Sequence, residues 1–115
     1  MDIKFLKLLI PRNGKVTEAL FEVGDRDIKI GVSDRFLAGR GDKPGVTVEL
    51  FLKQFGELII RKMLVENNLT DDYVFYSYNF VKADDKPMVL EEIKEKLEND
   101  IMQAEEKRDS IGFKI

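Results

Sequence analysis

The sequence predicts an α+β fold in which an antiparallel sheet carries two helices, with the elements in the order β-β-β-α-β-α. Three patterns support this prediction: short apolar runs separated by turn residues up to residue 32, a long apolar segment at helical spacing over residues 48–66, and a narrower helical stripe over residues 87–104. The chain has 115 residues, which is the size of one domain. We therefore predict a single α+β domain over residues 1–115.

The first three strands are predicted to form an antiparallel meander. Ile3–Ile10 is a strand-like run, and the Asn13-Gly14 pair that follows suits the two positive-φ positions of a type I′ hairpin turn. Val16–Val23 and Asp27–Val32 then place apolar residues at every second position, which is the period of a half-buried strand. We expect a β-hairpin followed by a third antiparallel strand.

The long apolar segment Val48–Glu66 is predicted as the central helix. Thr47 is a suitable N-cap, and Glu49 places a negative charge in the first turn, where it favours the helix dipole. The apolar arc is wider than the stripe of an ordinary surface helix, so we expect contacts on two sides of this helix. Gly56 in its middle lowers helix propensity and indicates close packing against a neighbour.

Tyr73–Val81 is the segment with the highest β-propensity and is predicted as a later, interior strand of the same sheet, because aromatic residues fall on both of its faces. A second interpretation makes these aromatics a stacking platform for nucleic-acid bases. We prefer the core interpretation, since the acidic residues before and after the segment would repel phosphates.

The second helix is predicted to begin with Pro87 at its first position and Asp85 or Lys86 at its cap. Its narrow apolar stripe indicates a surface helix, and we prefer packing on the sheet over a seam between two copies of the chain. Ile111–Ile115 alternates like a short strand that either completes the sheet or pairs with another chain.

Composition excludes several kinds of chemistry. The chain has no cysteine and no histidine, so it can form neither a disulfide nor a thiolate or imidazole metal site, and a reducing, cytoplasmic location fits best. We find no secretion signal and no apolar run long enough for a membrane span, so no membrane partner is expected. Residues 1–62 carry 12 Lys and Arg against 9 Asp and Glu, whereas residues 63–115 carry 7 against 13. This acidic balance argues against a nucleic-acid partner.

The glycine-rich loop Gly39–Gly45 before the central helix is the candidate ligand site. Glycines allow a backbone to approach an anion, and a helix N-terminus offers free N–H groups. The spacing matches neither a Walker loop nor a dinucleotide fingerprint, and the competing interpretation is a flexible connector. The predicted ligand-binding residues are Arg35, Arg40, Gly41, Lys43 and Thr47.

No catalytic constellation is visible in the sequence. Acidic pairs such as Asp84-Asp85 and Glu91-Glu92 are explained by turns and helix starts rather than by catalysis or magnesium binding. We therefore predict no catalytic residue, no cofactor and no metal. The first functional hypothesis is a non-enzymatic, intracellular protein-interaction module, such as an adaptor, assembly factor or inhibitor. It includes self-association as a homodimer and a phage, viral or other mobile-element origin. The alternative is a binder of a small anionic ligand, such as a nucleotide, at the glycine-rich loop.

Overall fold

The computed structural model describes residues 2–9, 14–38, 40 and 47–112, without the side chains of residues 109–112. The chain forms an α+β fold whose element order confirms the predicted β-β-β-α-β-α. The elements are β1 (Ile3–Leu8), β2 (Val16–Val23), β3 (Arg26–Ser33), α1 (Val48–Val65), β4 (Asp72–Phe75) and α2 (Leu90–Gly112). None of the described helices is long and apolar enough to span a membrane.

The four strands form one sheet in the order β1-β2-β3-β4, and this sheet is mixed. β1, β2 and β3 form the predicted antiparallel meander, but β4 lies parallel to β3. The prediction of a purely antiparallel sheet was therefore wrong. The reason is the central helix: α1 carries the chain back across the sheet, so β4 enters from the same end as β3 and completes a β-α-β crossover.

β4 is much shorter than the predicted strand and is the last strand of the described sheet, so the prediction of a long interior strand over residues 73–81 was also wrong. The strand ends because the backbone of Tyr76 bonds to a residue of its own segment. Its N–H donates to Asn79 Oδ1 at 2.8 Å, and its carbonyl accepts from the Asn79 N–H at 2.9 Å. This local turn replaces further pairing with the sheet.

Residues 76–89 leave the sheet and form a narrow antiparallel loop, which we call the arm. Met88 N–H donates to the Phe80 carbonyl at 2.9 Å, and Lys82 N–H donates to the Lys86 carbonyl at 2.8 Å. Pro87 pairs with Val81 in an isolated bridge instead of opening the helix as predicted. α2 begins three residues later, where the N–H of Val89 is capped by Glu92 Oε1 at 3.1 Å.

The Glu92 cap predicts a pH dependence of stability. The N–H of Val89 and the ammonium of Lys82, at 3.2 Å, hold the pKa of the Glu92 carboxyl below its ordinary value of 4.5. A depressed folded-state pKa stabilises the fold fully above the ordinary value, and this stabilisation is lost as the pH falls through the lower value. We expect the free energy of unfolding to fall more steeply below pH 4.5 in the wild type than in Glu92→Gln.

Urea unfolding at a series of acidic pH values measures this difference. Glu95→Gln is the matched control, because Glu95 is an exposed glutamate on the same helix. Its acid slope should equal that of the wild type. If Glu92→Gln also keeps the wild-type slope, the cap does not stabilise the fold.

The core lies on both sides of α1, as the width of its apolar arc predicted. One side packs on β1, β2 and β3, where Gly56 faces the ring of Phe21. The other side packs on α2, which buries Ile93, Leu97 and Ile101. The preferred packing of the second helix on the sheet was therefore wrong, because α1 already covers that face and offers its own apolar side to α2.

The first hairpin and the C-terminal segment were predicted from residues that the structure describes only in part. β1 and β2 form the expected hairpin and Gly14 has a φ of 66°, but Asn13 lies outside the described residues. At the other end, residues 111 and 112 continue α2 rather than forming a strand, and residues 113–115 lie outside the described part. A helix through residue 112 leaves the proposed strand pairing of this segment without support.

Candidate functional site

Arg40 is the most buried charged residue of the described chain, with 1% of its surface exposed. Its guanidinium lies among backbone carbonyl oxygens, and each of its five N–H groups donates to one of them. The distances are 2.6 Å from Nε to Phe36, 2.9 Å and 3.1 Å from Nη1 to Phe80 and Met88, and 2.9 Å and 2.7 Å from Nη2 to Ser77 and Asn79. We call these five oxygens the carbonyl cage.

The carbonyl cage explains how a charge can be buried here. Carbonyl dipoles point their negative ends at the guanidinium, and the ring of Phe36 lies 4.0 Å from Arg40 Cζ in a cation–π contact. Burial lowers the pKa of Arg40, but a guanidinium stays charged at physiological pH. With every donor occupied, Arg40 has no N–H group free to bind an anion.

Of the other predicted ligand residues, the structure describes Arg35 and Thr47. Arg35 is exposed, and Thr47 is the predicted N-cap, whose Oγ1 accepts from the Leu50 N–H at 3.1 Å. Gly41 and Lys43 lie outside the described residues. An anion site at the glycine-rich loop stays a prediction that rests on these two residues.

The aromatic segment divides between the core and the surface. Phe75 is fully buried and Phe80 is partly buried, and their rings stack at 5.8 Å. Tyr76 and Tyr78 are 39% and 70% exposed, and their rings stack on each other with centroids 5.3 Å apart and planes 13° apart. The core interpretation therefore holds for the phenylalanines, whereas the two outer tyrosines form an aromatic pair at the surface.

The arm adds apolar residues to this pair. In the antiparallel part of the arm, Phe80 and Met88 point to the core, so the residues next to them point outward. Val81 is 43% exposed, Val89 is 39% exposed and Pro87 is also exposed. We define the arm surface as Tyr76, Tyr78, Val81, Pro87 and Val89.

Hydrogen bonds from Arg40 and packing of Phe80 hold the arm against the rest of the fold. Four of the five oxygens in the carbonyl cage belong to the arm, and two of them, those of Ser77 and Asn79, flank Tyr78 in the chain. Phe80 has a backbone φ of 57°, which residues other than glycine rarely adopt. Its ring centroid lies 6.5 Å from that of Phe36. Tertiary contacts therefore hold the tyrosine-bearing turn in one conformation.

A third tyrosine lies beside the pair. Tyr73 on β4 packs its ring edge-on against Phe75 at 5.1 Å and is only partly exposed. Burial raises the pKa of the Tyr73 hydroxyl, and the nearby Tyr78 raises it further. Tyr73 therefore links the core aromatics to the exposed pair and stays neutral at physiological pH.

A groove lies between the C-terminal parts of the two helices. It is lined by residues 64–67, at and just after the end of α1, and by residues of α2 between 100 and 108, so the helices run in the same direction and leave an open groove of about 1130 Å³. Leu64, Val65 and Ala104 alternate there with charged side chains. No group of three or more potential metal ligands is present among the described residues.

No family model, no curated protein and no solved structure significantly resembles this chain. The candidate site must therefore be judged by its own geometry. The preferred core interpretation missed the exposed tyrosine pair, although one signal was present. The aromatics at 73 and 75 share one phase of a period of two, whereas those at 76, 78 and 80 share the other. This change of phase coincides with the end of β4, which stops at Phe75 before the turn that begins at Tyr76.

Proposed function

We propose that this chain is a non-enzymatic protein-interaction module and that its partner docks on the arm surface. The observation that carries the proposal is the stacked pair Tyr76 and Tyr78, which is solvent-exposed and yet held rigid by the carbonyl cage. Tyrosine gives a large amphipathic contact area with few rotatable bonds, and it is enriched at the centres of protein interfaces. A surface that is ordered before binding loses little conformational entropy when the partner arrives.

The neighbouring residues fit the same role. Val81, Pro87 and Val89 add exposed apolar residues along the arm beyond the aromatic pair, and the tip of the arm carries charged residues. An apolar centre with a polar rim is the usual arrangement of a protein interface. The proposal includes self-association, in which the partner is a second copy of the chain.

The double variant Tyr76→Ser/Tyr78→Ser tests this proposal. Truncation of tyrosines at the centre of an interface commonly costs about 1–2 kcal/mol or more each, so we expect at least about tenfold weaker binding of the partner. The matched control is Met102→Ser, because Met102 is an apolar side chain on α2 that is 53% exposed. Both variants should keep the wild-type circular dichroism spectrum, since neither removes a buried side chain.

The measurement has two readouts. Cross-linking and quantitative mass spectrometry in lysate of the organism that encodes the chain should identify proteins that bind the wild type and Met102→Ser but not the double variant. Sedimentation equilibrium detects a partner that is a second copy, because the dimer would be lost in the double variant alone. A bound partner, or a dimer, that survives the loss of both tyrosines contradicts docking on the arm surface.

A further inference from the structure

We infer that the arm surface recognises an arginine in a basic segment of the partner, with the guanidinium stacked on the free face of Tyr78. This inference rests on the proposed function, because it names the chemistry that the same surface would bind. Three features of the described chain support it: a free aromatic face, carboxylates on the adjoining elements, and an aspartate of the arm that neither arm lysine pairs with.

The free face follows from the stacking geometry. Tyr76 covers one side of the Tyr78 ring, and 70% of Tyr78 remains exposed. A phenol ring attracts a cation to its face through its quadrupole, and the gain is about 0.5–1 kcal/mol at an exposed site. In the described part of the chain the cations that do lie over rings contact Phe36 and Phe5, so none occupies the face of Tyr78.

Carboxylates lie on each element that adjoins the arm. Asp72 stands at the start of β4, Asp84 and Asp85 stand at the tip of the arm, and the first turn of α2 contributes acidic residues as well. The whole segment from residue 63 to the C-terminus has 13 Asp and Glu against 7 Lys and Arg. This field attracts a basic segment and steers its approach, and it repels a phosphate backbone.

Each of the two lysines of the arm neutralises one carboxylate. Lys82 is paired with Glu92 at 3.2 Å, and Lys86 is paired with Asp84 at 4.0 Å. Asp85 is exposed at the tip and makes no ion pair among the described residues. Asp85 is therefore the carboxylate of the arm that remains for a cation of the partner.

Arginine suits this combination better than lysine does. Its guanidinium is planar, so it can stack flat on the ring while its N–H groups donate to a carboxylate in the same plane. It is also less strongly hydrated than an ammonium group, so it loses less on leaving water. We expect a preference for arginine over lysine of about threefold or more for each stacked side chain.

The test uses the full chain and three capped peptides of equal length, in which two variable positions separated by Gly-Ser-Gly carry arginine, lysine or neutral citrulline. Because the chain has three tyrosines and no tryptophan, and Tyr73 lies beside the pair, intrinsic tyrosine fluorescence reports binding in this region. Two-dimensional NMR of the labelled protein maps the site. The arginine peptide should shift the amides of residues 76–89, bind more tightly than the lysine peptide, and have no effect on Tyr78→Ser.

Met102→Ser is again the control and should bind the arginine peptide like the wild type. The inference is overturned if the lysine and arginine peptides bind equally, if the shifts map outside the arm, or if a short oligothymidine shifts the same amides while the arginine peptide does not. Partners that still require Tyr76 and Tyr78 in lysate would then leave the proposed function standing. If the arginine peptide does not bind at the arm and no partner in lysate requires Tyr76 and Tyr78, the proposed function is contradicted as well.

Discussion

Replacement of Arg40 by lysine is expected to lower the free energy of unfolding by about 3 kcal/mol or more. Lysine keeps the positive charge, but its ammonium group has only three N–H donors, all on one nitrogen. The carbonyl cage has five oxygens, placed to accept from the five N–H groups of a planar guanidinium. At least two buried carbonyls would lose their partner, and each such loss costs about 1–3 kcal/mol.

Urea unfolding followed by circular dichroism measures the global loss of stability. Hydrogen exchange at the amides of Lys82 and Met88, which donate within the arm, shows whether the arm opens before the rest of the fold. Arg35→Lys is the matched control, because Arg35 is exposed, and it should change stability by no more than about 0.5 kcal/mol. If the two variants are equally stable, the ammonium group of lysine satisfies the carbonyl cage as well as the guanidinium does.

A rescue experiment separates loss of the guanidinium from general damage to the fold. Arg40→Ala leaves a cavity lined by the five carbonyl oxygens, and methylguanidinium has the missing group. Millimolar methylguanidinium should raise the melting temperature of Arg40→Ala and leave Arg35→Ala unchanged, because a ligand stabilises only a state that binds it. Methylammonium should give a smaller increase or none. A failure of both cations to rescue would mean that the alanine variant has lost the arm conformation altogether.

The same variants connect stability with the proposed function. The Arg40 side chain donates its hydrogen bonds to residues outside the arm surface, but it holds the carbonyls on both sides of Tyr78. Opening of the arm would disorder the tyrosine pair, and binding would then include the cost of ordering it again. We therefore expect Arg40→Lys to weaken binding at the arm surface although no contact residue has changed.

Local patterns in the sequence were sufficient for most of the fold. Strand alternation predicted β1, β2 and β3 and their antiparallel pairing, and helical spacing together with Thr47 predicted α1 to within one residue. These patterns show which face of a helix or strand is buried, and that information is contained in the residues of the element itself. The direction of β4 was missed because it depends on where α1 crosses the sheet, and no short window of sequence contains that information.

The candidate site was harder to predict for a related reason. Arg40 stands among glycines and charged residues, a context that favours solvent exposure, yet four of its five acceptors lie 37–48 positions further along the chain. The high β-propensity of residues 73–81 was outweighed by the turn at Asn79 and by these contacts with Arg40. Only the change of aromatic phase at Tyr76 marked the place where the chain leaves the sheet.

Gly56→Ala is the second substitution with a large expected effect. We expect it to destabilise the fold, although helix propensity favours alanine over glycine. Alanine is favoured over glycine inside a helix by about 1 kcal/mol, so propensity alone predicts a more stable protein. At this position a Cβ would lie 2.9 Å from Cζ and 3.0 Å from Cε1 of Phe21. Phe21 is 1% exposed, and its ring is held edge-on against Phe5 at 5.6 Å, so it has little room to move away.

We expect Gly56→Ala to lower the free energy of unfolding by about 1–3 kcal/mol, the usual cost of inserting a methyl group into a packed core. Gln54→Ala is the matched control, because Gln54 is exposed on the same helix, and it should be neutral or slightly stabilising. In a Phe21→Leu background the obstructing ring atoms are absent, so the same Gly56→Ala change should cost less or become favourable. A Gly56→Ala protein more stable than the wild type would show that the sheet can move away from α1, because only that movement would give a methyl group room above Phe21.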